Sequence, residues 1–194
     1  MKEKINFFEI IKVSMVLFFI TAILAALLAF INAKTAPVIA ENAILKEQTA
    51  MKTVIKGAEQ FKEVEVSFLP ENGQINKAYV AMDSDENVIG ACIITETTGY
   101  STGIQTVTGI DNNLTVMGVD IISMNETPGL GANADNPDFL SMYNGKSGEI
   151  GVSKTAADDK NIQAISGATM TSNGVTNGVN IALEAAKEIL GGDK

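Results

Sequence analysis

The 194-residue chain predicts an α+β domain, an antiparallel sheet with repeated β-hairpins flanked by helices, preceded by a single N-terminal transmembrane helix. Three observations carry this expectation. Val13 to Ile31, "VSMVLFFITAILAALLAFI", contains no charged residue. Between residues 63 and 124, apolar-rich segments are separated by the polar turns "ENGQ", "DSDE" and "DNN", as strands in hairpins are. The closing segment spaces its apolar side chains along one helical face.

The uncharged run of 19 residues rises ~1.5 Å per residue, so it spans roughly 28 Å, the thickness of a bilayer's hydrocarbon core. It is too long for the apolar part of a typical cleaved leader, and "NAKTAP" after it offers no small-residue cleavage site. A helix apolar on every face is also unusual as the core of so small a protein. Residues 13–31 therefore predict an uncleaved anchor. Charge divides around it. The first 62 residues hold 8 Lys and 5 acids, a net of +3; the remainder holds 6 Lys and 18 acids, a net of −12, giving −9 in all. With Lys2, Lys4 and Lys12 ahead of the span, residues 1–12 are expected in the cytoplasm and the main domain outside the cytoplasmic membrane, although Lys34, Lys46 and Lys52 reduce the asymmetry.

Pro37 suits the first turn of a new helix, and Ile39, Ala43, Ile44, Met51, Val54 and Ile55 follow at helical spacing. A membrane-proximal helix is expected over 35–61, with Gly57 weakening its last turns. The domain proper is expected from 63 to 194. "EVEVSFLP" reads as a strand. "KAYVAM" and "NVIGACIITE" read as one hairpin around "DSDE", and "IQTVTGI" and "LTVMGVDIISM" as another around "DNN". The pattern Val88-Ile89-Gly90 and Ile93-Ile94-Thr95 returns 28 residues later as Val116-Met117-Gly118 and Ile121-Ile122-Ser123. Each copy runs on into Glu-Thr and a glycine, "ETTG" at 96–99 and "ETPG" at 126–129, which suggests a repeated unit. Residues 131–160 are polar and turn-rich, with a short helix expected over Pro137 to Tyr143. A final helix places Val175, Val179, Ala182, Ala186 and Ile189 on one face, Leu183 and Leu190 beside it, and Gly191 and Gly192 at its stop.

All 14 basic residues are lysine, and histidine is absent. Histidine-activated nucleophiles, His-ligated zinc and histidine general bases are excluded for this chain alone. An acidic, arginine-free domain is a poor nucleic-acid binder. Cys92 is the single cysteine and falls inside a predicted strand, as a core residue does. With no cysteine cluster and no G-x-G-x-x-G turn, the chain offers no iron–sulfur or dinucleotide site of its own. No catalytic residue and no metal ligand is expected; redox or group-transfer chemistry here requires a cofactor.

One loop stands out, "AISGATMTSNGV" at 164–175. Thr171, Ser172 or Asn173 can cap the last helix, and Gly167 frees the backbone before it. By local chemistry alone a capped helix behind a tight turn is the simpler reading, with an anion at the helix N-terminus the alternative. A domain at −12 repels a free phosphomonoester. Esterification to a hydroxyl removes one charge from the phosphate, and a covalent bond holds it whatever the bulk supply. A threonine hydroxyl without a neighbouring base is a weak nucleophile, so another enzyme must form that bond. In "ETPGLG", Pro128 and Gly129 suit adjacent turn positions and Gly131 relaxes the exit.

"SGATMTS" at 166–172 resembles the flavinylation motif of the FMN-binding domain family, in which the threonine of S/T-G-A-T carries FMN through a phosphodiester. "NETPGLG" at 125–131 resembles a second signature of that family. "GYSTGIQTVTGID" at 99–111 resembles its segment between the hairpins, with Ser101-Thr102 where a glycine pair is more usual. The resemblance implies covalent FMN on Thr169, installed from FAD by a flavin transferase, with Thr171 the competing acceptor. It places Ser166, Gly167, Ala168 and Thr171 around the linkage, and Glu126, Thr127, Gly129 and Leu130 beside the flavin ring. Gln163 stands where the family often has an acidic residue, and Asp158 and Asp159 are out of register with it. Within the family the chain is similar to the G subunit of Rnf-type ion-translocating complexes, and to the typically longer C subunit of the sodium-pumping NADH:quinone oxidoreductase. That similarity implies an electron carrier, not an independent catalyst, in a complex linking ferredoxin and NAD. Its implied partners are other membrane subunits, the transferase and membrane lipid. Two other readings stay open at this point: a covalent-flavin subunit of a different respiratory or extracellular electron-transfer system, and a non-redox membrane-tethered sensor or assembly domain.

Overall fold

The computed structural model describes residues 7–191, which divide after Leu45 into two compact units. Helix α1 (Phe7–Val54) supplies every described residue of the first unit and opens the second. Among the described residues it is the one helix long and apolar enough to cross a membrane. Side chains such as Phe18, Leu24 and Leu28 lie exposed along it, as lipid-facing residues do. The expected restart at Pro37 does not occur: the proline lies inside one continuous helix, where it removes its own bond to the carbonyl four residues back and its ring crowds that carbonyl. The expected end at Phe61 is also corrected: the helix stops at Val54, Gly57 turns the chain at φ +93°, and the Glu59 amide donates to the Met82 carbonyl at 2.9 Å. Residues that continue a helical spacing here are drawn into a sheet instead. Lys2, Lys4 and Gly192 lie outside the described residues.

The second unit is a five-stranded antiparallel meander in the order β1 (Gln60–Val64), β2 (Gln74–Met82), β3 (Val88–Thr98), β4 (Thr102–Asp111), β5 (Val116–Ser123). Both hairpins form, β2–β3 and β4–β5, and the two repeat glycines flank β4, Gly90 opposite Asp111 and Gly118 opposite Gly109. β1 starts three residues earlier than expected and ends early. Beyond it the amides of Ser67 and Phe68 donate to the Glu188 carboxylate at 2.8 and 3.0 Å instead of to a strand. A 3-10 turn (Gly131–Asp135), α2 (Pro137–Ser141) and the short parallel pair β6 (Gly151–Ser153) and β7 (Asn161–Gln163) lead to α3 (Thr169–Gly191).

Alternation along β3 sends Ala91 and Ile93 to one face of the sheet and Cys92 and Ile94 to the other. The first face packs on Val175, Val179, Ala182 and Ala186 of α3, the stripe expected from sequence. The second is covered by Ala50, Met51, Val54 and Ile55 at the end of α1. Glu47, one turn earlier, accepts from Lys77 at 2.8 Å and from the Tyr79 hydroxyl at 2.9 Å. Burial, with Glu47 alongside, pushes the Tyr79 hydroxyl well above its ordinary value.

Two glycines set the depth at which α3 lies. A Cβ on Gly174 would stand 2.8 Å from the Thr98 carbonyl oxygen and 2.9 Å from the Gly99 Cα; one on Gly178 would stand 2.7 Å from the Thr106 hydroxyl. Threonines fill the seam. Thr97 donates to the Gly174 carbonyl at 2.8 Å, and the Thr95 and Thr106 hydroxyls pair at 2.8 Å. Forcing a methyl against backbone costs about 1–3 kcal/mol, more than the ~1 kcal/mol that alanine gains over glycine in a helix. Gly174→Ala is therefore expected to lower the thermal unfolding midpoint of the detergent-solubilised chain. Gly191→Ala, which meets no atom within 4 Å, is expected to leave it unchanged or raise it.

Candidate functional site

The site is built at the head of α3. The first helical hydrogen bond runs from the Ser172 amide to the Ala168 carbonyl at 3.0 Å, so the amides of Thr169, Met170 and Thr171 precede the ladder and have no intrahelical acceptor. This corrects the expected capping role of Thr171, Ser172 and Asn173, which lie inside the first turns of the helix. Ser172 is fully buried and ties the loop to the helix: its hydroxyl accepts from the Ile165 amide at 3.0 Å and donates to the Ala168 carbonyl at 3.1 Å. Gly167 turns the chain at φ +76°, and a side chain there would meet Leu130 Cδ2 at 3.3 Å.

The three hydroxyls of this stretch have separate surroundings. Thr169 is partly exposed, whereas Thr171 is 1% exposed and donates to Glu126 Oε2 at 2.9 Å. The other carboxylate oxygen of Glu126 accepts the Ser101 amide at 3.0 Å. One buried carboxylate therefore joins the β3–β4 turn, the loop after β5 and the head of α3. Glycines make room for it. A Cβ on Gly131 would lie 2.5 Å from both Glu126 Oε2 and the Thr171 hydroxyl, and one on Gly99 2.6 Å from Glu126 Oε1. The "ETPGLG" loop curls into the 3-10 turn, with the Leu130 and Ala132 amides both donating to the Thr127 carbonyl at 3.1 Å.

These elements enclose a cleft of about 540 Å³, within the usual ~300–1,000 Å³ of small-molecule sites. Glu126, Thr127, Leu130, Gly167, Ala168, Thr169 and Thr171, all singled out from sequence, line it. Gly129 and Ser166 lie outside the lining: Gly129 bends the loop at φ +78°, and Ser166 is exposed on the approach. Tyr100 and Met170 join the lining without having been singled out, and Gly131, expected only to relax the exit of its turn, joins it too. Tyr100 and Met170 are 72% and 59% exposed, and an exposed aromatic in a turn is the one signal by which sequence could have flagged the first. Glu126 is the one acidic or basic residue in the lining.

Outside the cleft, Cys92 is buried in β3 and burial pushes its thiol up to about 12, so it packs as a core residue. Gln163 is exposed on β7, and Asp158 holds the turn before it, accepting from the Lys160 and Asn161 amides at 2.8 and 2.7 Å. Among the described residues no cluster of metal-ligating side chains occurs.

The chain is similar to known proteins over most of its length. A family model described as an FMN-binding domain matches residues 99–184. Over 98% of its length the chain is 32% identical to the G subunit of the proton-translocating ferredoxin:NAD(+) oxidoreductase complex of Clostridium ljungdahlii, covering 97% of that protein. It is 32% identical to the Na(+)-translocating counterpart of Acetobacterium woodii over 97% of both chains. Among solved structures, NqrC of Shewanella oneidensis shares the fold, with a TM-score of 0.52 at 19% identity over 66% of this chain and 73% of that one.

Two tests follow from the site's construction. Thr171→Val removes a hydrogen bond to a buried carboxylate and is expected to cost about 1.5–3 kcal/mol, read as a lowered unfolding midpoint. The side-chain and backbone groups of Asn161, with the Lys160 amide, hold the Asp158 carboxyl below the usual carboxylate range. A group whose pKa falls on folding stabilises the fold above its unfolded value of about 3.9, and the contribution is lost as pH drops through the lower folded value. Hydrogen exchange of the 160–161 amides is thus expected to stay protected down to about pH 4 and to open below it, whereas Asp158→Ala leaves them open throughout.

Proposed function

We propose, from the premise that this chain belongs to the G-subunit family of ion-translocating ferredoxin:NAD(+) oxidoreductase complexes, with its FMN-binding domain, that it relays electrons through FMN joined to Thr169 by a phosphodiester. It is an electron-transfer subunit and a membrane-anchored one. The observation that carries the proposed linkage is the contrast between two threonines two residues apart. Thr169 is partly exposed at the head of α3 in the cleft, and Thr171 is buried with its hydroxyl committed to Glu126.

The residues present suit the cofactor. Free amides at the start of α3 are placed to donate to one ester phosphate, and the helix dipole favours a negative group there. Leu130, Met170 and Tyr100 supply apolar surface for a ring system at the rim. FMN, when bound, supplies the electron-accepting chemistry that these side chains lack. The protein's part is to hold the phosphate, orient the ring and limit water around it. We place the N-terminus in the cytoplasm and the domain outside it, on the distribution of lysines around the span. The other membrane subunits of such a complex would deliver and remove the electron, and a flavin transferase would load the threonine.

The test is direct. Full-length protein co-expressed with a flavin transferase, denatured and run on a gel, is expected to fluoresce under ultraviolet light. Thr169→Ala should abolish the signal and Thr171→Val retain it. A dark wild-type band from a transferase-competent host, or a fluorescent Thr169→Ala band, would overturn the assignment.

A further inference from the structure

We infer that Glu126 makes the unloaded cleft select against free flavin phosphate, so that the site is filled by covalent transfer and not by capture. The inference rests on the reading of the cleft as a flavin site. It starts from charge. Of the residues lining the cleft, Glu126 alone is acidic or basic, and no lysine reaches the lining. The carboxylate is 8% exposed and fixed by the Ser101 amide at one oxygen and the Thr171 hydroxyl at the other.

Its position matters as much as its sign. Thr171 is the third residue of α3, so its bond brings the carboxylate to the first turn of the helix. The positive end of a helix is the natural seat for an anion, and here a side chain from 45 residues upstream already occupies part of that field. The remaining attraction suits a single charge. A phosphomonoester carries about −1.5 to −2 near pH 7, and a phosphodiester carries one. Free FMN therefore meets like-charge repulsion from a carboxylate that is itself buried and so weakly screened, with no lysine in the lining to offset it. Riboflavin has the same ring and no phosphate, and escapes that penalty. Once an ester bond is made, the second charge is gone and affinity no longer decides occupancy.

The distinction is functional. An unloaded subunit with a strong phosphate site would fill with loosely held flavin and obstruct its own maturation. A cleft that rejects the free cofactor stays open to the transferase.

The experiment uses full-length protein in detergent, produced without a flavin transferase, and titrates it at low salt with FMN and, separately, with riboflavin, following flavin fluorescence. Wild type is expected to bind riboflavin at least as tightly as FMN. Glu126→Gln, whose amide oxygen can accept from the Ser101 amide while its NH2 donates to the Thr171 hydroxyl, is expected to raise FMN affinity relative to riboflavin affinity about tenfold. Glu126→Asp keeps the charge but draws it back by one methylene, and should leave the ratio of the two affinities closer to wild type than Glu126→Gln does. Because the readout is a ratio, general loosening of the fold does not mimic it. An unchanged ratio in Glu126→Gln, tighter binding of FMN than of riboflavin by wild type, or no binding of either flavin to the variant would each overturn the inference. Covalent loading of wild type with an unchanged ratio removes only the role of Glu126. A shifted ratio without covalent loading removes only the Thr169 linkage.

Discussion

Helix α3 lies on strand β3 at a depth that only glycine allows. Gly174 and Gly178 face the seam, and the Thr95 and Thr97 hydroxyls reach across it to the helix carbonyls of Gly178 and Gly174 at 3.3 and 2.8 Å. The approach is closest at the N-terminal end, where the helix meets the last residues of β3 and the turn that follows. That turn supplies the Ser101 amide to Glu126, and Glu126 holds Thr171. The position of the loop at 164–169 is thus inherited from a packing contact in the core of the domain. A one-methyl change at Gly174 would displace the helix head and, with it, everything the cleft is made from.

The same stretch shows how one short sequence divides its hydroxyls by burial. Ser172 locks the loop to the helix, Thr171 is held to Glu126 in the wall of the cleft, and Thr169 is left partly exposed there. All three are small hydroxyl residues within four positions, so their chemistry as isolated side chains is nearly the same. What separates them is the helical turn, which points the third and fourth residues of the segment inward. A nucleophile need not be activated by this chain, which has no histidine; it need only be accessible to an enzyme that can activate it.

Much of the fold was legible because strand and helix periods are local signals. The alternation through Ile93 and Ile94, the polar turns, and the stripe from Val175 to Ala186 each depend on neighbours in sequence, and each formed. The misreadings have non-local causes. Residues around Gln60 keep a helical spacing but are captured by pairing with β2, and the amides of Ser67 and Phe68 are taken by Glu188, about 120 residues away. At the site, glycines and hydroxyls alone suggested a cap and a turn, and the resemblance to the FMN-binding domain family singled out the two loops, while the bond from Glu126 to Thr171 had no sequence trace. A buried carboxylate in a turn looks like any exposed glutamate until the fold brings its partner. For that reason Thr171 looked like a cap from sequence and is instead part of the wall.

Acidic charge, absent histidine and arginine, a lipid-facing helix and a cleft with one fixed carboxylate are consistent with a carrier whose chemistry belongs to its cofactor. The most direct measurement is residue-level mass spectrometry of the native protein. Cleavage after Lys160 and Lys187 releases one peptide containing Ser166, Thr169, Thr171 and Ser172. The predicted result is an added mass of FMN less one water, located by fragmentation on Thr169. An adduct on Thr171 or Ser166, or an unmodified peptide from a host that flavinylates other proteins, would contradict it.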